Sequence, residues 1–217
     1  TLWGMKKEPV IDGDVEGWLA KGGAYFEEKR YEEALEAYNC ANRREPQNEI
    51  AWSNKGLVLA ELGRYLEAIE ACDQAIRINP RYAMARFNKG NMLLTLGRNQ
   101  EAVEAYDQLI RINPQYAEVW CNKGNALLTL GRNQEAVEAY DQAIRIDPQY
   151  AEAWCNKGVA LSHLSRCSEA LDAFGQAIRI DPQYAEAWCN KGNTLLALDR
   201  KQEALEACDQ AIRIDPQ

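Results

Sequence analysis

One period of 34 residues constrains this chain more than any other feature. Pro46, Pro80, Pro114, Pro148, Pro182 and Pro216 stand 34 apart without a slip, and only Pro9 falls outside the series. Trp18, Trp52, Trp120, Trp154 and Trp188 keep the same beat, as do Gly22, Gly56, Gly90, Gly124, Gly158 and Gly192. A fixed period of this length is the mark of a solenoid, in which each unit buries its apolar face only against its neighbours. The function of such a chain is expected on an extended surface rather than in a catalytic pocket.

With the proline set at position 32 of a 34-residue unit, six copies follow a flanking segment, 1–14. They run 15–48, 49–82, 83–116, 117–150, 151–184 and 185–217. Within Glu49–Pro80, Trp52, Gly56, Leu59 and Leu62 recur at three- and four-residue steps, as on one helix face. A break follows at Gly63-Arg64, and a second stripe runs through Ala68, Ile69, Cys72, Ala75 and Ile76 before Pro80 disfavours further helix. Each unit is therefore predicted as helix A at positions 2–14 and helix B at about positions 18–31. Small residues at 8, 20 and 27 let the helix axes approach to roughly 8–10 Å. Larger ones at 4, 11 and 24 fill the space beside them. Position 24 holds Tyr38, Tyr106, Tyr140 and Phe174, with Cys72 and Cys208 as smaller substitutes.

This set of positions resembles the tetratricopeptide repeat, and the resemblance covers residues 15–217. It implies an all-α fold, an α-solenoid of six helix–turn–helix repeats wound into a right-handed superhelix, serving as a protein–protein interaction scaffold. The wording Trp120-Cys121-Asn122-Lys123-Gly124-Asn125, with Leu130-Gly131-Arg132, is similar to repeats of archaeal and cyanobacterial members. Two positions depart from the family pattern. Position 7, usually apolar, is Lys throughout, with its ammonium expected to reach water beyond a packed stem. Arg86 stands where the other repeats carry Trp, and a looser joint between the second and third repeats is expected there, with a local ligand contact as the alternative.

Composition narrows the classes. The net charge of −8 disfavours nucleic acid or an anionic membrane as partner. Eighteen of the 25 cationic residues sit at positions 7, 16 and 29, as expected of a solvated face and of helix ends. No apolar run of about 18 residues offers a membrane-spanning helix. No signal peptide is visible, so a cytoplasmic protein is expected, with Met5 a candidate natural start. The seven cysteines are odd in number. Cys121, Cys155 and Cys189 share position 5 of consecutive repeats, about 8–10 Å apart. That is beyond the roughly 7 Å reach of a disulfide and too far for convergence on one metal ion. All seven are expected as thiols, and no metal or cofactor is called for.

In the family, helix A lines the concave face, with positions 2, 5, 6, 9, 12 and 13 pointing into it. Position 6 carries Asn54, Asn88, Asn122, Asn156 and Asn190, and position 9 adds Asn91, Asn125 and Asn193. An asparagine carries a donor and an acceptor on a short stem, so a ladder of them can hold the backbone of an extended peptide. The pattern is similar to the asparagine ladder in the tetratricopeptide superhelix of O-GlcNAc transferase. The competing reading is that these amides bond within the array itself. The carboxylate clamp of co-chaperone members requires cations at positions 5, 2 and 6 of three successive repeats. Here position 5 is Leu19, Ser53, Phe87, Cys121, Cys155 or Cys189, and position 2 includes Glu16, Glu118, Glu152 and Glu186. Chaperone tails are therefore not expected, and a neutral or basic segment suits the groove better.

Catalysis has little support. His163 is the one histidine, with no nucleophile in fixed register beside it, and the glycines are taken up by positions 8 and 15. The C-terminal copy has no polar helix after it, so Leu205 and Ile212 are expected to show apolar surface. Either the natural chain continues or molecules stack end to end. The alternatives to a peptide-binding scaffold are thus a self-assembly module and the auxiliary region of a larger enzyme.

Overall fold

A computed structural model describes residues 14–216. The two apolar stripes of each 34-residue unit become two helices, giving twelve among the described residues. They are α1 (Val15–Glu27), α2 (Tyr31–Arg44), α3 (Glu49–Glu61), α4 (Tyr65–Ile78), α5 (Ala83–Thr95) and α6 (Asn99–Ile112). After them come α7 (Ala117–Thr129), α8 (Asn133–Ile146), α9 (Ala151–His163), α10 (Cys167–Ile180), α11 (Ala185–Ala197) and α12 (Lys201–Ile214). No strand is present among the described residues.

Each helix begins one residue earlier than the apolar spacing predicts, and in α1 and α3 a capping side chain stands just before that start. Asp14 accepts from the Gly17 amide at 2.7 Å and Asn48 from the Ala51 amide at 3.0 Å, satisfying orphan donors of α1 and α3. The turn that follows each odd-numbered helix is closed by a residue at position 15 in the left-handed region. At Gly63, φ is 73°, the Gly63 amide donates to the Ala60 carbonyl at 2.9 Å and the Arg64 amide to Leu59 at 2.8 Å. Lys29, Ser165 and Asp199 adopt the same conformation with a β-carbon, at a cost of about 1 kcal/mol each. The arginine at position 16 then forks onto the glutamate three residues on, as Arg132 does on Glu135 at 2.6 Å.

The helices group into two compact units, Thr1–Met92 and Leu93–Gln217. In the first, α1 packs on α2, α2 on α3 and α3 on α4. In the second, each helix from α6 to α12 packs on the next, and in addition α9 touches both α7 and α11. Helices on the inside of a bend stand closer than those outside it, so α7, α9 and α11 form the inner row of the second unit.

What sets the distance within a pair is glycine at position 8 under the side chain at position 24. A β-carbon on Gly124 would lie 2.5 Å from the Tyr140 ring, one on Gly158 2.5 Å from Phe174, and one on Gly56 2.8 Å from the Cys72 sulfur. Around this contact Ala136, Ala143 and Ala153 are fully buried, as are Leu127 and Leu161 within 1%. Tryptophan at position 4 lies at the rim and ties the helix to the preceding turn. Trp52, Trp120, Trp154 and Trp188 each donate from Nε1 to the carbonyl of the proline six residues back, at 3.0–3.2 Å.

Two departures from the family pattern make contacts that the sequence expectation did not name. Arg86 donates from Nε and Nη2 to the Pro80 carbonyl at 3.1 and 2.8 Å, reproducing the tryptophan's hydrogen bond with a different side chain. The lysines at position 7 do not simply extend into water. Lys89, Lys123 and Lys157 bond Asp73, Asp107 and Asp141 of the preceding even-numbered helix, each at 2.6 Å. The stems of Lys123 and Lys157 meanwhile hold the ammonium over Trp120 and Trp154, 5.4 and 5.3 Å from the ring centroids. Each such pair forms a rung between one helix pair and the next. Gly175 occupies the corresponding place in α10, so Lys191 has no carboxylate there and lies over Trp188 at 5.3 Å.

The same substitution at two helical glycines is expected to act in opposite directions. Gly124→Ala must displace the Tyr140 ring and should lower stability by about 1–3 kcal/mol. Gly175→Ala meets no atom within 4 Å and should raise it by about 0.5–1 kcal/mol. Thermal unfolding of the two variants beside the parent checks both signs.

Candidate functional site

The candidate surface is built from the odd-numbered helices, whose period places one residue of each kind on every inner step. In the second unit Glu118, Glu152 and Glu186 stand in the first turns of α7, α9 and α11, all exposed. Carboxylates there favour the positive ends of the helices, so the fold holds the row without cost. Beside them stand Tyr116, Tyr150 and Tyr184, the residues that immediately precede these helices and are half-buried. Tyr116 donates its hydroxyl to Glu118 at 3.0 Å. Tyr150 faces back to the thiol of Cys121, and Tyr184 to that of Cys155. The phenols of Tyr150 and Tyr184 thus lie between two odd-numbered helices, and burial, with the carboxylates to either side, pushes their ionisation well above the ordinary range.

The predicted asparagines are all on odd-numbered helices, and several have partners within the array. In the first unit Asn54 is half-buried and faces the Tyr38 phenol, Asn88 is buried at 8% exposure, and Asn91 is half-buried. In the second, Asn122 is half-buried and faces the Tyr106 phenol. Asn125 accepts from the Tyr140 hydroxyl at 2.7 Å and from Asn156 Nδ2 at 3.0 Å. The structure therefore joins Asn125 and Asn156 across α7 and α9. The same joint is missing between α9 and α11, because position 9 of α9 is Val159, which offers no amide oxygen to Asn190. Asn190 turns instead to the Cys155 sulfur at 3.9 Å, and Asn193, exposed, lies 3.8 Å from the Cys189 sulfur.

Cysteine at position 5 is covered in α7 and α9 and uncovered in α11. Cys121 and Cys155 are fully buried, whereas Cys189 is exposed. Burial pushes the Cys121 thiol up to about 12 and the Cys155 thiol up to about 11, with Glu152 and Glu186 adding to the shift. In α4, Cys72 is pushed up to about 12 by the same burial. Among the described residues no group of three or more His, Cys, Asp and Glu side chains converges to hold a metal ion. His163 is exposed at the last turn of α9. No described helix is long and apolar enough to cross a membrane.

Sequence reasoning missed two parts of this surface. The tyrosines at position 34 share the 34-residue period and were legible in it. The aspartates at position 25 that hold the lysines were visible only by reading one repeat against the next.

Comparison with known proteins follows the geometry. A model of the TPR repeat matches residues 22–63, 90–131, 124–165 and 164–199. Models of the tetratricopeptide repeat match 50–82 and 185–217, and 71–104. No curated protein sequence matches the chain. Among solved structures, the chain is similar to YrrB, a TPR protein with an unusual peptide-binding site. The identity is 24% over 84% of this chain and 94% of that one, with a TM-score of 0.71. It is also similar to pilF of Pseudomonas aeruginosa, at 17% identity over 95% and 94% of the two chains, with a TM-score of 0.78. A third likeness is MamA (41-end) from Desulfovibrio magneticus RS-1, at 19% identity over 81% and 99%, with a TM-score of 0.74. At these identities the likenesses establish the fold.

The buried thiols give a prediction that needs no ligand. At pH 8, Cys72, Cys121 and Cys155 of the native protein should react with a thiol reagent at least about 100-fold more slowly than Cys189, and all seven should react in denaturant. Peptide mapping that finds Cys121 labelled as fast as Cys189 contradicts the burial described. Because the folded pKa values lie above the ordinary 9.0, the unfolded chain releases these protons first. Their contribution is fully present below pH 9 and is lost as pH rises towards 11–12, so the thermal midpoint should fall across that window.

Proposed function

Because the chain belongs to the tetratricopeptide repeat family, whose members are generally protein-interaction scaffolds, we propose that it captures an extended peptide segment on the inner, concave face of its odd-numbered helices. The observation that carries this reading is the exposed row Glu118, Glu152 and Glu186, repeated at one position of α7, α9 and α11 beside tyrosines and amides. A chain of lysines or arginines laid along that row meets a carboxylate at each step, which favours a basic or neutral segment over an acidic one. The asparagines Asn54, Asn88, Asn91, Asn122, Asn125, Asn156, Asn190 and Asn193 are the proposed holders of peptide backbone. Those bonded to tyrosine are fixed in direction by it, which lowers the ordering cost of a further bond. Asn125 is fixed most firmly, with two donors on its Oδ1.

The repeat fold is typically a non-catalytic scaffold, and we assign this chain no reaction of its own, no cofactor, and neither nucleic acid nor membrane as partner. Its seven free thiols suit a reducing compartment, so we place it in the cytoplasm. A second reading, association between copies through the last helix, is favoured by Leu205 and Ile212, which are 57% and 61% exposed on α12.

The test is capture from native lysate with mass-spectrometric identification. The parent is run beside a triple Asn122→Ala, Asn156→Ala, Asn190→Ala variant and a triple Glu118→Lys, Glu152→Lys, Glu186→Lys variant, each of confirmed helicity. Loss of at least about tenfold in recovery of basic partners by the glutamate variant is expected, with a smaller loss for the asparagine variant. Equal recovery by all three proteins would move the site away from the inner face.

A further inference from the structure

Positions 21 and 28 of each even-numbered helix form the face on which the following odd-numbered helix docks. Ile69, Val103 and Val137, at position 21, are 7%, 3% and 4% exposed. The same face of α12 carries Leu205 and Ile212, at 57% and 61%, with Asp209 exposed beside them at the place from which Asp73, Asp107 and Asp141 bond the next lysine. The complementary face lies at the other end of the repeats. In α9 it is Ala153, Lys157 and Ala160, the two alanines fully buried and the lysine held by Asp141 at 2.6 Å. In α1 the same three positions are Gly17, Lys21 and Ala24, with Lys21 and Ala24 exposed. Lys21 already lies over the Trp18 ring at 4.6 Å, as Lys157 lies over Trp154 at 5.3 Å. So α12 shows an apolar ridge with a carboxylate, and α1 shows a small-residue groove with an ammonium poised as in the internal rungs.

We infer that a second copy of this chain docks its α1 on the α12 face of the first, with Lys21 of one copy bonding Asp209 of the other in the geometry of the internal rungs. This deepens the second reading above by fixing its register. A second rung supports it. Arg132 and Arg166 donate to Gln100 and Gln134 of the preceding repeat at 3.2 and 3.3 Å, and Arg30 and Gln202 are the corresponding residues of α1's turn and of α12. The contact joins two different surfaces, so it propagates from copy to copy rather than stopping at a pair.

The experiment is sedimentation of the 217-residue chain from roughly 5 to 500 μM, a range that reads weak dissociation constants. Expected is an average mass that rises with concentration past that of a dimer. Leu205→Glu, Lys21→Asp and Asp209→Lys should each raise the dissociation constant at least about tenfold. The double variant Lys21→Asp, Asp209→Lys should regain association, because the rung reforms with its charges exchanged. Each altered side chain is exposed, so the variants should retain parental helicity. A strict monomer across the range overturns self-association altogether. Association that halts at a dimer, is lost with Leu205→Glu and ignores Lys21→Asp overturns the register alone, leaving α12 paired with α12.

Discussion

The contact on which this structure depends is a glycine Cα lying against a ring. At Gly124 and Gly158 no side chain fits beneath Tyr140 and Phe174, and the two helices of each pair close to that contact. Once the pair is closed, the alanines at 20 and 27 fill the rest of the seam, and the outer edge of the even-numbered helix is left apolar for the next pair. Where position 24 is Cys72 or Cys208 the sulfur takes the same place, 2.8 or 2.7 Å from the β-carbon that Gly56 or Gly192 lacks. A small residue at 24 does not free the glycine, because the sulfur and the carbonyl oxygen at position 20, 3.1 Å away at Gly56 and 3.4 Å at Gly192, still fill the space. The repeat tolerates change in the ring more readily than change in the glycine beneath it.

Most of this was legible in the amino-acid order, because a 34-residue period exposes every structural position six times. The helices and the buried seam follow from the stripes. What escaped was pairing between repeats. Lys157 and Asp141 are 16 residues apart and belong to different copies, so neither stripe connects them, and the lysine looked like a residue bound for solvent. The hydrogen bond of Arg86 escaped for a related reason. A tryptophan at position 4 suggests bulk, yet part of its role is one hydrogen bond to a proline carbonyl, and a guanidinium supplies that bond as well. Asn42 is a true exception to the period. It stands where the other copies have isoleucine, is 93% buried by its 7% exposure, and its amide meets no protein partner.

The asparagines combine the two readings the sequence offered. Asn125 is part of the packing, bonded to Tyr140 and Asn156, while Asn193 stands exposed on the last odd-numbered helix. The amides are thus anchored more than they are displayed, and the charge of the surface is carried by the glutamates beside them. Those glutamates cost the fold nothing at helix N-termini, so their recurrence along α7, α9 and α11 leaves the row available to a ligand. An interior of alanine and glycine with a charged inner row is well suited to reading length and sign of charge, and poorly suited to reading a particular side chain.

The claim that the inner row receives the ligand is tested most directly by carboxyl footprinting with and without an unstructured lysine-rich peptide. The account predicts that Glu118, Glu152 and Glu186 lose labelling when the peptide is present, while Glu104, Glu138 and Glu206 on the even-numbered helices keep theirs. Protection of the even-numbered helices, or none on α7, α9 and α11 at saturating peptide, would contradict it.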